Sequence, residues 1–328
     1  VTDDYRALIC VTTCRRLGHL RRYLPHLARF CVGDPRFALV VALDGDDADY
    51  LAFCEEWEIP LVFADEREGV GLSKNRVLER FGDFDYYFFL EDDVELVDGA
   101  VFPAYAALHR ASGIHHFTLF ERGGLRGRTG ESEVDGVPIA HGLYGPAHFC
   151  SYTGDGLRVV GGWHPRFAEY RRWGHTEHSW RFQRAGLAPA PFNVAESLSD
   201  SFVWHYPPAV TRVEGVPMDA DQIAAPEREL MNQALRHVPL RTLAPHHANG
   251  VPLGPPRRLA AVLAGRERYP LVRGSERRRC HADFLLWRSR TARTALGRTA
   301  SLAGGALLSP GNPELRRRVR ELVEGRMP

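Results

Sequence analysis

Tyr86-Tyr87-Phe88-Phe89-Leu90-Glu91-Asp92-Asp93 decides the fold. A short unbroken apolar run stopped by consecutive carboxylates reads as a strand buried on both faces that ends at a water-facing edge. Strands of that kind belong to parallel sheets covered by helices. Working upstream, residues 6–13 form a second apolar run ending in small polar groups. Leu17, Leu20, Tyr23, Leu24, Leu27 and Phe30 then recur at helical spacing. Phe37 to Leu43 is a further strand, closing on Asp44-Gly45-Asp46-Asp47. Residues 48–57 read as helix and Pro60 to Ala64 as strand. Gly69-Val70-Gly71-Leu72-Ser73 leads into a helix from about Lys74 to Phe81. The alternation predicts an α/β fold, a mostly parallel sheet with right-handed crossovers and flanking helices. In open sheets of this type ligands sit beyond the carboxyl ends of the strands. Thr12 and Thr13, Asp44, and the Glu91–Asp93 cluster all fall at such ends.

Downstream the alternation breaks. Residues 100–112 read as helix, 117–145 as a Gly-rich irregular stretch with room for hairpins, His148 to Thr153 as strand and Gly154 to Val160 as a short helix. Gly161-Gly162-Trp163 marks a tight loop, and a helix over about 176–185 stops at Gly186. Three parts are expected: a catalytic domain over 1–206, a Pro/Gly-rich wrapping linker over 207–256, and an Arg-rich helical tail over 257–328, with helices at 281–300 and 314–325. The net charge of +1 conceals an asymmetry, because residues 257–328 carry 17 arginines against six acids and leave the remainder near −10. Lys74 is the lone lysine against 41 arginines. A bias that uniform reads as genomic base composition, so no nucleic-acid partner is expected. Phe284, Leu285, Leu286 and Trp287 beside Arg288, Arg290 and Arg293 suit either a helix docked on the domain's own surface or peripheral docking to a membrane or a protein. No apolar run reaches 18 residues, and the acidic start before Ala7–Val11 predicts no signal peptide. Six cysteines without a C-x-x-C pair suit a reducing compartment, so the expected location is cytoplasmic, with the inner face of the membrane as the docking surface.

The acidic triplet carries the strongest chemistry. Hard oxygen donors at a strand end suit Mg²⁺ or Mn²⁺ shared with substrate phosphates. Side chains alternate along extended chain, so Glu91 and Asp93 can face one way; an acidic solvated loop is the alternative. Gly69-x-Gly71 before Lys74-Asn75-Arg76 can receive a pyrophosphate through backbone amides and a cation, or be an ordinary surface helix start. Glu177, Arg181 and Arg184 share one helix face. Glu177 there is either a general base or a helix-start acid paired with Arg181. His175 and His178 flank it. His205, after an apolar run, is a metal-ligand candidate or an edge-strand histidine.

Together these segments, spanning about residues 6–206, resemble the GT-A glycosyltransferases of family 2, with echoes of the polypeptide N-acetylgalactosaminyltransferases. Val11-Thr12-Thr13-Cys14-Arg15-Arg16 stands at the family's first nucleotide loop, and Asp44 where a strand-end Asp reads uracil. Gly69 to Arg76 is similar to its Gly-x-x-x-Ala-Arg-Asn segment. Glu91-Asp92-Asp93 is similar to its D-x-D metal motif, with Glu in the first place. Tyr152 to Trp163 is similar to the loop and helix that shape the acceptor side. The family's Glu-Asp pair is replaced by Gly174-His175 in one register; a shifted register sets Glu177-His178 there.

The resemblance implies transfer of a sugar from a nucleoside diphosphate sugar, UDP-linked by expectation, to a hydroxyl of a glycan, lipid-linked or small-molecule acceptor, with inversion. It assigns Asp93, Glu91 and His205 to a Mn²⁺ or Mg²⁺ ion. Thr12, Thr13, Arg15, Asp44, Gly71, Lys74, Asn75, Glu91 and Asp92 fall to the nucleotide sugar, and Gly162, Trp163, His175 and Arg181 to the acceptor side, with Glu177 as base. The rival readings are a sugar nucleotidyltransferase and a non-catalytic nucleotide-sugar-binding module.

Overall fold

The computed structural model describes residues 4–119, 125–145, 148–170, 173–204 and 220–254, with scattered positions beyond 298. His205 and nearly all of the two expected tail helices lie outside them. The chain divides into two compact units, Val1–Phe202 with Val213–Gly265, and Val203–Arg212 with Arg266–Pro328; the first carries the main sheet. Among the described residues no helix is long and apolar enough to cross a membrane.

The strands read from sequence are present: β1 (Ala7–Thr13), β2 (Phe37–Leu43), β3 (Leu61–Ala64) and β4 (Tyr86–Glu91), all parallel. Helices α1 (Leu17–Gly33), α2 (Ala48–Glu56) and α3 (Val70–Arg80) connect them. β1 is buried at every position, as two covered faces require. After a short β5 (Val94–Leu96) come α4 (Val101–Ser112), β6 (His116–Thr118), β7 (Arg126–Val134), β8 (Val137–Tyr144) and β9 (Phe149–Thr153). Next in the chain are α5 (Gly154–Val160), α6 (Pro165–Glu169), α7 (Gly174–Arg184), β10 (Phe192–Ala195), β11 (Phe202–Trp204), α8 (Ala220–Asn232) and β12 (His246–Ala248). The main sheet runs β12-β3-β2-β1-β4-β9-β6, and β10-β8-β7 form a second, antiparallel sheet. β9 pairs antiparallel with β4, and β6 with β9, so the sheet is parallel only in its centre.

Three details go beyond the sequence reading and have local causes. Residues 126–144, where the sequence left room for hairpins, form one that turns on Asp135-Gly136, both at positive φ (51° and 77°), the geometry that suits right-twisted strands, with a register shift between Arg128 and Gly130. α3 starts at Val70 and not at Lys74. Asp44 Oδ1 accepts from the Glu68 and Gly69 amides, each at 2.8 Å, and Gly69 at φ +93° turns the chain straight into the helix. The expected linker holds α8 and β12, and β12 pairs antiparallel with β3 through His246↔Ala64.

Phe88, Phe102, Phe149 and Phe202 pack between α4 and the sheet, with ring centroids as close as 4.7 Å. Two buried histidines continue this core. His109 bonds the Ile114 carbonyl at 2.6 Å, and His116 stacks on Tyr152 at 4.7 Å. Burial pushes both down to about 3, with the carbonyl partners opposing it only in part. Each is therefore neutral in the folded protein and protonates near pH 6.5 once unfolded. Their contribution is complete above pH 6.5 and shrinks as pH falls towards 3, by about 1.4 kcal/mol per pH unit for each histidine. Unfolding free energies by urea at pH 7 and pH 4 should show it. His116→Phe keeps the stacking, and its stability should fall with acidification less steeply than wild type, by about one proton's worth; equal slopes would refute the assignment.

Candidate functional site

The strand order reverses between β1 and β4, the place where an open sheet leaves a crevice at its carboxyl edge. Side chains tie the two strand ends together there. Thr12 Oγ1 donates to the Leu90 carbonyl at 3.1 Å, and Thr13 Oγ1 donates to Asp92 Oδ2 at 2.7 Å while sharing a bond with the Tyr50 hydroxyl at 3.0 Å. The Asp92 amide donates to the Thr12 carbonyl, and the Glu91 amide to the His148 carbonyl. The second bond exists because β9 lies against β4, and it brings His148 beside the acidic triplet.

Alternation along the chain then sorts the carboxylates. Asp92 faces Thr13 and Arg16, whereas Glu91 and Asp93 meet His148. His148 Nδ1 lies 3.4 Å from Glu91 Oε2 and 3.9 Å from Asp93 Oδ1. One donor atom from each of the three falls within 4.8 Å of the others. Arg16 closes the other side, 3.0 Å from Asp92 and 3.1 Å from Asp93. Burial and the adjoining acids push Asp92 up to about 7, against the pull of Arg16 and Thr13. Burial also opposes charge on Glu91, but the bond and charge of His148, aided by Lys74 and Arg16, hold it below the usual carboxylate range. Two carboxylate oxygens and one imidazole nitrogen converging from three directions fit a divalent cation. The nitrogen shifts preference from Mg²⁺ towards a first-row ion.

Lys74 is 1% exposed, its ammonium 5.2 Å from the Trp163 ring and 5.6 Å from that of Phe89. Among the described residues no carboxylate pairs with it, and its charge reaches Glu91 and His175. Asn75 is engaged by the fold itself. Its amide spans the Trp163 carbonyl (2.9 Å) and the Arg241 carbonyl (2.7 Å) and its oxygen accepts the Trp163 amide (2.7 Å), so it pins the tight loop. Gly162 and Gly71 serve the same packing. A β-carbon on Gly162 would lie 2.6 Å from Asn75 Oδ1, and one on Gly71 would lie 3.1 Å from Trp163 Cβ.

Asp44 and Arg15 belong to a separate cavity of about 190 Å³, walled also by Asp46, Asp65 and Arg67. Asp44 Oδ1 is taken by the two amides at the start of α3, and Oδ2 lies 3.6 Å from Arg67 Nε.

On α7, Glu177 has no exposed surface. Both of its carboxylate oxygens hold Arg181, at 2.7 and 3.0 Å, and Arg181 directs two further donors to the Val160 and Gly162 carbonyls. His178 is equally buried, stacked 4.0 Å over Trp163 and bonded to the Gly161 carbonyl. His175, one turn earlier, keeps part of its surface exposed and bonds the Gly145 carbonyl at 3.1 Å.

The structure thus brings Glu91, Asp92, Asp93 and Thr13 together at the β1/β4 edge, with the charge of Lys74 reaching Glu91 and His175, and sets Asp44 and Arg15 at its flank. Glu177, Arg181 and Asn75 stand behind the lining, Trp163 (2% exposed) among them. Arg16 and His148 are site residues that the sequence pattern does not single out. Arg16 carries a signal, standing after Thr12-Thr13 at the end of β1. His148 has none short of knowing that β9 flanks β4.

No protein-family model matches the chain, and no curated protein matches it. Solved structures resemble it at low identity. Staphylococcus aureus TarS is 13% identical over 53% of this chain and 34% of that one, with a TM-score of 0.39; the chain thus spans about a third of that protein. The mannosyltransferase PcManGT from Pyrobaculum calidifontis, in complex with GDP-Man and Mn²⁺, is 14% identical over 95% of this chain and 83% of that one, with a TM-score of 0.47.

Proposed function

We propose that this chain is a glycosyltransferase that moves a sugar from a nucleoside diphosphate sugar to an acceptor hydroxyl, by direct displacement and with inversion. The observation that carries the reading is the convergence of Glu91, Asp93 and His148 at the β1/β4 crevice, with the cations of Arg16 and Lys74 beside them. A divalent ion, Mn²⁺ by preference, is the group those three residues would hold, and it supplies neutralisation of the departing diphosphate. His205 remains a candidate further ligand outside the described residues.

Lys74, already stripped of water and without a carboxylate partner among the described residues, offers its charge to the diphosphate at no further desolvation cost. Thr13 and Tyr50 orient Asp92 and Arg16 around the ribose side. The Asp44 cavity suits the base, where Oδ2 accepts an imino N–H; UDP is the expected nucleotide. The acceptor is a glycan, a lipid-linked sugar or a small molecule, and the Arg-rich tail is the segment for peripheral docking.

Thermal melting with UDP, GDP and their sugars, with and without Mn²⁺, tests this. Saturating nucleotide should raise the melting temperature only when the ion is present. Identical melting in every condition would overturn the reading. A sugar nucleotidyltransferase, the alternative, would release pyrophosphate and not a nucleoside diphosphate.

A further inference from the structure

We propose that His175 is the general base of the transfer step, taking the acceptor proton on Nδ1; this rests on the glycosyl-transfer reading. The first turns of α7 offer three titratable side chains, and the geometry separates them. Glu177 has both oxygens on Arg181 and no surface for an acceptor to touch. His178 is sealed between Trp163 and the Gly161 carbonyl. His175 alone among them is partly exposed.

The bond to Gly145 fixes its chemistry. The Gly145 carbonyl can only accept, so Nε2 must carry the proton, and the lone pair falls on Nδ1. Gly145 stands three residues before His148, the histidine beside Glu91 and Asp93, and the charges of Lys74, Glu91 and His148 reach the ring, so the free nitrogen belongs to the acidic side of the sheet edge. Burial first, and Lys74 next, hold it down to about 4, so it rests neutral and ready to accept. A bound diphosphate would offset Lys74 and raise its basicity, which is the direction a base needs. The ring also meets Phe192 edge-on at 6.3 Å. Just before it in the chain, Trp173 leads into α7 at φ +62°, a left-handed conformation that a bulky residue adopts only when its surroundings impose it, and packs edge-on against Tyr144 at 6.1 Å.

In the step so assigned, the acceptor O–H bond breaks and its proton goes to His175 Nδ1. The oxygen forms a bond to the anomeric carbon, and the bond from that carbon to the β-phosphate oxygen breaks, its electron pair leaving on the nucleoside diphosphate. The proton then passes to solvent from the partly exposed residue. Water can stand in for the acceptor, so the step is measurable as donor hydrolysis.

The test compares wild type, His175→Ala and His175→Gln, with UDP or GDP release measured from UDP-glucose, UDP-N-acetylglucosamine and GDP-mannose, and UDP and GDP binding measured with Mn²⁺. Glutamine can still donate to the Gly145 carbonyl but has no basic nitrogen. The expected result is nucleotide affinity within about threefold of wild type in both variants, with turnover of the best donor lowered by about 10²–10⁴-fold in both. Added imidazole should restore part of the rate of His175→Ala and none of that of His175→Gln. Turnover of His175→Gln within about threefold of wild type would overturn the role of His175 and leave glycosyl transfer standing. Loss of nucleotide binding in both variants would also overturn it, by making the histidine a binding residue. A wild type that neither binds nucleotide with Mn²⁺ nor releases it from any donor would remove the transfer reading itself.

Discussion

Asp93→Asn should abolish the Mn²⁺-dependent gain in stability given by UDP or GDP and lower donor turnover by at least about 10³-fold. Asp93 is the residue on which the two sets of contacts at the crevice meet, with Oδ1 facing His148 and Oδ2 facing Arg16. Losing its charge removes an anionic ligand and leaves Arg16 to Asp92 alone. A ligand at a hundred times its dissociation constant stabilises the folded state by about 2.7 kcal/mol, so the contrast with the variant is well within reach of a melting curve. The residue is only 3% exposed and does not sit at an open edge as its place after an apolar strand suggests. The asparagine, which keeps its volume, is for that reason the variant to make. Without metal, Asp93→Asn should melt close to wild type, because relief of repulsion among three neighbouring acids offsets the weakened pairing with Arg16. A variant that still shows the full metal-dependent shift would take Asp93 out of the ion's coordination.

The second large effect is on stability. Arg181→Leu should cost about 3–5 kcal/mol, the usual penalty for leaving one member of a buried ion pair alone, and lower the melting temperature by roughly 6–20 °C. Neither Arg181 nor Glu177 exposes any side-chain surface, and Arg181 also binds the Val160 and Gly162 carbonyls. These carbonyls flank the turn at Gly161 (φ +76°), where α5 ends and no other side chain reaches them among the described residues. Glu177→Gln should lose nearly as much, since a buried guanidinium would face a neutral amide. Calorimetry on both variants checks this. If Glu177→Gln melted like wild type while turnover fell 10²–10⁴-fold, the carboxylate would be the base after all and His175 would not.

How far the sequence shows this site depends on the reach of each contact. The parallel centre of the sheet is legible because each strand is a short apolar run with its polar end in register, and local periodicity reports that directly. The pairing of Glu91 with Asp93 comes from side-chain alternation. The hidden parts rest on contacts distant in the chain. His148 joins the triplet only because β9 runs antiparallel beside β4 through Phe149↔Leu90. The Glu177–Arg181 pair is visible as i,i+4 spacing, but only burial shows that both ends are consumed by it. The hairpin over 126–144 is legible only as room for one, without strand bounds, because the polar run Arg126–Glu133 hides the alternation expected of a half-buried strand.

The pairing of β12 with β3 has a consequence in time. Leu61 and Asn249, whose amide and side chain bond at 3.1 Å, are 188 residues apart. During synthesis at about 5–20 residues per second, β3 is made roughly 10–40 s before the strand that covers it. Throughout that interval the sheet presents a bare edge of unpaired amides and carbonyls, the template on which nascent chains join one another. Pro60 before β3 and the charged Asp65-Glu66-Arg67-Glu68 after it guard its two ends. Expression yield should therefore depend on dilution and on holdase chaperones more than the melting temperature of the finished protein suggests.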